Sequence, residues 1–241
     1  MGECLMIHLV IVNINGLAYT KSIVGDLLAQ TCPFLATIYD QNSCEHGTQE
    51  YLASLDNRVR HGKVNDPRVE VIQNTIHVDL NRIWNQHYYN SSSPYLCFLN
   101  NDVRITNNFV ADTLSVFDAE PTVGCVIHTT NHPDYRASGP LDYKILEQQA
   151  IQGWDFTFRT EAYTEIPDDL KTFGGDDYLF ANLYANGWKT AVVLSSPVIH
   201  YYAKSRKYYT GSRQTEAEAL LAYGYPKLHL CPYSRRYPPT N

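Results

Sequence analysis

No C-x-x-C pair occurs among the six cysteines of this 241-residue chain, Cys4, Cys32, Cys44, Cys97, Cys125 and Cys231. Scattered singly, several of them inside apolar runs, they read as reduced core residues rather than a disulfide scaffold. Long apolar runs are missing as well. The stretch 5–14 is broken by His8 and Asn13, lacks a basic flank and is far too short to span a bilayer. The expectation is a soluble, cytoplasmic protein without a transmembrane segment. Internal repeats and low-complexity tracts are also absent. Glycine is sparse where phosphate loops need it: Gly16 stands alone after the first apolar stretch, which excludes dinucleotide-binding and P-loop turns. Ser43 and His46 have neither a nucleophile elbow nor an orienting carboxylate, so a hydrolase triad is not supported.

Charge is present but uneven. Residues 1–200 carry 12 Lys and Arg against 23 Asp and Glu, whereas residues 201–241 carry 7 against 2. An acidic body therefore ends in a basic tail. Such a tail suits the phosphates of a nucleotide, a nucleic acid or a lipid surface, or is simply a solvated terminus. The 19 tyrosines suit stacking on sugars or bases.

Apolar strand patterns at 7–14, 34–39, 69–72, 95–99, 123–128, 155–159, 189–194 and 197–201 alternate with helical patterns at 20–29, 47–55, 78–88, 109–118 and 176–186. A last helical stretch follows at 215–221. This alternation predicts an α/β fold with a mainly parallel central sheet flanked by helices on both faces. Residues 129–151 read as a long irregular connection of the kind that carries function.

The run at 95–99 is continuously apolar, as a strand covered on both faces should be, and ends in Asn100, Asn101 and Asp102. A carboxylate there lies beside the crevice in which open α/β sheets hold ligands; the alternative is a capped turn. Asp40 to Ser43 and His200 occupy comparable strand ends. Gly174-Gly175-Asp176-Asp177 opens a helix whose dipole accounts for the charges. It does not account for the glycines, which suggest a close approach of backbone or ligand.

Taken in order, these segments resemble the GT-A glycosyltransferases, most closely glycosyltransferase family 2, over residues 7–203. Val10-Ile11-Val12-Asn13 with Leu27 to Thr31, then Tyr39 to Thr48, resemble the family's first nucleotide-binding strand, helix and aspartate-bearing second strand. Leu99-Asn100-Asn101-Asp102 resembles its Asp-x-Asp metal site, Gly174 to Leu179 its acidic pair, and Ile199-His200-Tyr201 its late metal-binding histidine. The resemblance implies a Rossmann-like nucleotide-sugar-binding half over 1–102, an acceptor and catalytic half over 103–203, and a basic, Tyr-rich tail or lid over 204–241. It implies a metal-dependent, inverting transfer of sugar from a nucleotide-sugar donor to an acceptor hydroxyl on a carbohydrate or glycan; the basic, aromatic tail adds a nucleic acid as a further acceptor class.

The implied donor contacts are Asn13, Asn15, Asp40, Asn42, Asn85, Asn101 and Asp102, with Asp40 facing base or ribose or serving only as a turn residue. Asp102 and His200 would hold Mn²⁺ or Mg²⁺, Asp177 would act as general base, and Asp176 would position acceptor or base. Trp154, with Phe156, reads either as an acceptor platform or as core. Lys204, Arg206 and Lys207 read as a cover for the diphosphate or as solvated charge. The chain departs from the pattern in three places: Asn100 begins the Asp-x-Asp element, the usual acidic residue after the second strand appears as Glu45, and 74–85 contains no glycine. A non-catalytic nucleotide- or sugar-binding module and a sugar-nucleotide nucleotidyltransferase are the alternatives, the latter without the basic glycine-rich loop it normally needs.

Overall fold

A computed structural model describes residues 6–60, 69–134, 136–137, 139–201, 213–224 and 229–234, so Lys204, Arg206 and Lys207 lie outside the described residues. The first half runs β1 (Ile7–Asn13), α1 (Leu17–Leu28), β2 (Phe34–Gln41), α2 (Thr48–Arg60), β3 (Val69–Asn74), α3 (Leu80–Asn90) and β4 (Tyr95–Asn100). Next come β5 (Val103–Arg104), α4 (Phe109–Ala119), β6 (Val123–Thr130), β7 (Tyr143–Ile145), β8 (Ala150–Ile151) and β9 (Asp155–Arg159). The chain closes with α5 (Gly175–Ala185), β10 (Lys189–His200), α6 (Arg213–Ala222) and β11 (His229–Leu230).

The sheet order is β3-β2-β1-β4-β9-β6-β10-β5, with β7 also on β10. Strands β3, β2, β1 and β4 are parallel neighbours, β6 and β10 run the same way, and β9 lies antiparallel between β4 and β6. This is the mostly parallel α/β sheet that the alternation predicts. Strand β4 shows why its sequence carries no polar break: Tyr95, Cys97 and Leu99 pack into the core beneath α1, α2 and α4, while Leu96 and Phe98 pack beneath α3 and α5. Phe34, Phe98, Phe109, Phe117, Phe156, Phe158 and Phe180 are all fully buried. Each such side chain contributes about 1.5–3 kcal/mol of burial, so both faces of the sheet are firmly covered.

Helix α2 runs on to Arg60, past its expected end at 55, and three further differences from the sequence expectation have identifiable causes. Helix α1 begins at Leu17, not Thr20, because Gly16 adopts a left-handed φ of 72° and the Glu45 carboxylate accepts from the Leu17 N–H at 2.8 Å. That cap comes from another segment, beyond the reach of local pattern. The two strands expected at 189–194 and 197–201 are one strand, β10, whose register against β6 shifts between Val193 and Val198. Pro197 sits at that irregularity, where a missing N–H is tolerated. The connection 129–151 contains β7, which pairs with β10, and β8, which pairs with β11. Cys32, Cys44, Cys97, Cys125 and Cys231 are free thiols, and no helix among the described residues is long and apolar enough to cross a membrane.

Candidate active site

The carboxyl ends of β1, β2 and β4 carry a buried polar layer. Asn13 Nδ2 donates to Asp40 Oδ1 at 2.8 Å, while Asn13 Oδ1 accepts from Thr20 Oγ1 at 2.6 Å and from Asn101 Nδ2 at 2.9 Å. Asp40 also accepts from Ser43 Oγ at 2.5 Å and Ser43 N at 3.1 Å, which makes it both a turn residue and a hub of the layer. Asn15, at φ 55°, turns its amide oxygen to the Cys44 and Glu45 N–H groups, both at 2.8 Å. Buried polar groups are stable only when bonded in this way, and the bonding fixes their direction. Ser43 Oγ is occupied by Asp40 and by the Asn15 N–H at 2.7 Å, so no serine nucleophile is prepared.

Beside this layer, the short ladder between β5 and β10 pairs Val103 with His200 and Arg104 with Ile199. Arg104 holds the ladder to α1 through two bonds to Asp26, at 2.6 and 2.7 Å. Asp102 Oδ1 and His200 Nε2 thereby lie 3.3 Å apart although 98 positions separate them. Both side chains are almost completely buried. Trp154 stacks on the imidazole with ring centroids 4.8 Å apart and planes at 23°, and its Nε1 donates to Thr130 Oγ1 at 3.0 Å. Asn131 brackets the His200 backbone, accepting from its N–H at 3.0 Å and donating to its carbonyl at 2.9 Å. Asn131, at φ 52°, reads in sequence only as a loop residue.

Asp102 and His200 are donor types that could hold a divalent cation, although no group of three or more His, Cys, Asp or Glu side chains placed to hold a metal ion occurs among the described residues. One carboxylate oxygen and one imidazole nitrogen would suit Mn²⁺ or Mg²⁺.

Asp176 and Asp177 lie in the first turn of α5, both partly exposed. The two glycines before them have separate causes. Gly174 takes φ 73° as the helix begins, and a Cβ on Gly175 would fall inside the Asn81 amide, whose Nδ2 donates to the Leu170 carbonyl at 2.8 Å. A third glycine, unremarked in the sequence, positions the acid: a Cβ on Gly153 would overlap the Asp176 carboxylate. Asp176 is thus lodged against the residue preceding Trp154.

Other sequence candidates stand elsewhere. Asn85 accepts from Tyr163 Oη at 3.0 Å and Ile166 N at 2.9 Å and donates to Ile166 O at 2.7 Å, holding α3 to that loop. Exposed Asn42, at φ 54°, accepts from Gln49 at 3.4 Å. Phe156 is buried core. Behind Trp154, Asp155 accepts from His128 N at 3.0 Å and Gln152 Nε2 at 2.5 Å. Burial pushes its carboxyl well above the ordinary range and lowers His128 to about 3.

The family model for glycosyl transferase family 2 matches residues 9–175, more than half of the chain and all of the strand-end layer. The chain belongs to this family. No curated protein matches the family-2 chain in sequence. Among solved structures it is similar to GalNAc-T7, solved with UDP, GalNAc and Mn²⁺, at TM-score 0.66 and 15% identity over 89% of this chain and 47% of that one. It is similar also to S. aureus TarS 1–349 with UDP-GlcNAc, at TM-score 0.65 and 14% identity over 88% and 63%. A third is the mannosyltransferase PcManGT of Pyrobaculum calidifontis with GDP-Man and Mn²⁺, at TM-score 0.63 and 12% identity over 91% and 69%. At these identities the likeness is one of fold, and it is the GT-A fold that this family-2 chain shares with them. The chain spans between about half and two-thirds of these proteins' lengths.

Proposed function

We propose that the chain transfers a sugar from a nucleoside diphosphate sugar to an acceptor hydroxyl with inversion, using Mn²⁺ or Mg²⁺ held by Asp102 and His200. The observation that carries this reading is the 3.3 Å approach of Asp102 Oδ1 to His200 Nε2 at the crevice edge. Family membership supports it, as do the UDP, UDP-GlcNAc and GDP-Man complexes of the three similar structures. Once bound, such a cation neutralises the charge that develops on a departing diphosphate.

The chain's own groups do the rest. Asn13, Asn15, Asp40 and Asn101 form the floor under the nucleoside, with Asn42 at its exposed rim. We assign the general base to Asp176 rather than to Asp177, because Asp176 is the carboxylate lodged beside the Gly153–Trp154 segment. It would take the proton from the acceptor hydroxyl as that oxygen attacks the anomeric carbon, with Asp177 orienting the acceptor. Trp154 is 6% exposed and backs the imidazole, so we assign it to holding His200 rather than to stacking on an acceptor. Asn85, tied to Ile166, supports α3. The buried free thiols of Cys97, Cys125 and Cys231 accord with a reducing, cytoplasmic setting.

The deciding experiment presents a panel of UDP- and GDP-sugars with Mn²⁺, with Mg²⁺ and with chelator, and measures release of nucleoside diphosphate. Metal-dependent release with one donor, and a product of inverted anomeric configuration, are expected. Binding without release under any condition would make the chain a binding module, and a retained configuration would remove Asp176 from its role.

A further inference from the structure

Two backbone N–H groups just ahead of α5, those of Thr172 and Phe173, converge on Oε2 of Glu216 at 2.8 and 2.5 Å. Glu216 stands in the first turn of α6, far along the chain, and is 3% exposed. Its other oxygen, Oε1, has no hydrogen-bond partner among the described residues. Burying a carboxylate on such terms is costly, and where packing alone is needed an apolar side chain serves as well or better. The same helix makes further contacts around the same loop. Leu220 packs 3.9 Å from where a Gly174 Cβ would stand. Just past the end of α6, Tyr223 Oη donates to Asp169 at 2.7 Å, and its ring meets Tyr178 edge-on at 5.5 Å. Contacts at 169, 172, 173, 174 and 178 bracket Asp176 and Asp177 from both sides.

We propose that Glu216 is a positioning residue for the acidic pair: its carboxylate fixes residues 172–174 and thereby the direction in which α5 presents Asp176 and Asp177. The inference rests on the role given to those aspartates above. The physical need is local. Gly174 and Gly175 carry no side chain to stiffen the turn, so the segment that leads into α5 needs an anchor from elsewhere. Glu216 supplies that anchor from across the fold by accepting from the Thr172 and Phe173 N–H groups.

The test compares Glu216→Met, which fills the space without an acceptor, with Glu216→Gln, whose carbonyl oxygen can take both N–H groups while its amide nitrogen replaces Oε1. Both are made in the full chain. For Glu216→Met the expectation is at least a tenfold loss of kcat with donor KM within twofold. Amide exchange at Thr172 and Phe173 should be at least tenfold faster, with the sheet still protected. Glu216→Gln should return kcat to within threefold of the parent and restore protection at both amides. Unchanged exchange at Thr172 and Phe173 in Glu216→Met overturns the tie. Parent-like kcat in Glu216→Met, whatever its melting temperature, overturns the positioning role, as does Glu216→Gln behaving like Glu216→Met. If the parent chain releases no nucleoside diphosphate from any donor, the proposed function fails, and the exchange comparison still decides the tie.

Discussion

Gly153→Ala isolates the position of one carboxylate without touching its chemistry. The new methyl would stand 3.0 Å from Asp176 Cγ, where ordinary contact begins near 3.4 Å, and would overlap Oδ2 outright. Gly153 is not held at a positive φ, so alanine suits its backbone and stiffens the unfolded chain by about 0.4–1 kcal/mol. Against this stands a crowding cost of about 1–3 kcal/mol, relieved in part because the displaced group is the free end of a short side chain. The net loss of stability should stay below about 2 kcal/mol. The carboxylate, however, must swing by about 1 Å or more. A displacement of that size at a reacting centre costs about a hundredfold in rate, or about 2.7 kcal/mol of barrier. Turnover should therefore fall about a hundredfold while manganese-dependent donor affinity, followed by thermal shift, stays within about twofold. Turnover within threefold of the parent, with the fold intact, would refute the placement of Asp176 at the reaction. Gly124→Ala is the contrasting control: its methyl would meet Leu183 and Trp188 at 2.7 and 2.8 Å, so it should lower stability alone.

Asp102→Ala and His200→Ala should each abolish the manganese-dependent part of donor binding, whereas Asp102→Asn should keep the fold and lose most turnover; calorimetric titration showing parental manganese affinity in Asp102→Ala would remove it from the metal site. Asp176→Asn should lower kcat about a hundredfold or more with donor affinity nearly intact, and Asp177→Asn should do less. The reverse order would return the base to Asp177. Stability should fall with acid. Burial lowers His8 to about 4 and His87 and His128 to about 3, so all three are neutral in folded and unfolded states above pH 6.5. Below that the unfolded chain binds protons that the folded one refuses, at up to about 1.4 kcal/mol per pH unit for the fully buried His128, until the folded values are reached. Raised Asp155 acts in the opposite sense, one group against three. The urea midpoint at pH 5 should lie below that at pH 7.5, and an equal or higher midpoint would contradict the burial of these rings.

Sequence made the strand ends legible because a buried parallel strand writes an unbroken apolar run, and the first polar residues after it must face the crevice. Asn13, Asp40, Asn101 and Asp102 all announce themselves in this way, and His200 does so at the end of β10. Of the glycine pair before Asp176, Gly175 is legible as a close approach, though not as an approach by Asn81, and Gly174 answers instead to a left-handed φ. What stayed hidden are interactions between distant segments that leave no local pattern: Glu45 starting α1, Gly153 making room for Asp176, Asn131 holding the His200 backbone, and Glu216 reaching back to Thr172. Asp155 and His128 were hidden for another reason. Each lies in a strand that reads as ordinary alternation, and only burial reveals that the two share a network.

The two-residue ladder between β5 and β10 has a consequence for how the protein is made. It is the pairing that brings Asp102 to His200, and it closes a loop of nearly one hundred residues, an entropically late event in any folding order. A nascent chain still held on the ribosome short of residue 200 has the buried polar layer at β1, β2 and β4 but only half of the pair proposed to hold the metal. Manganese therefore offers nothing to the early folding of this chain. On the proposed function, tight manganese binding would instead be the signature of a chain whose β5–β10 ladder has closed, separating it from any half-folded form that carries only β1, β2 and β4.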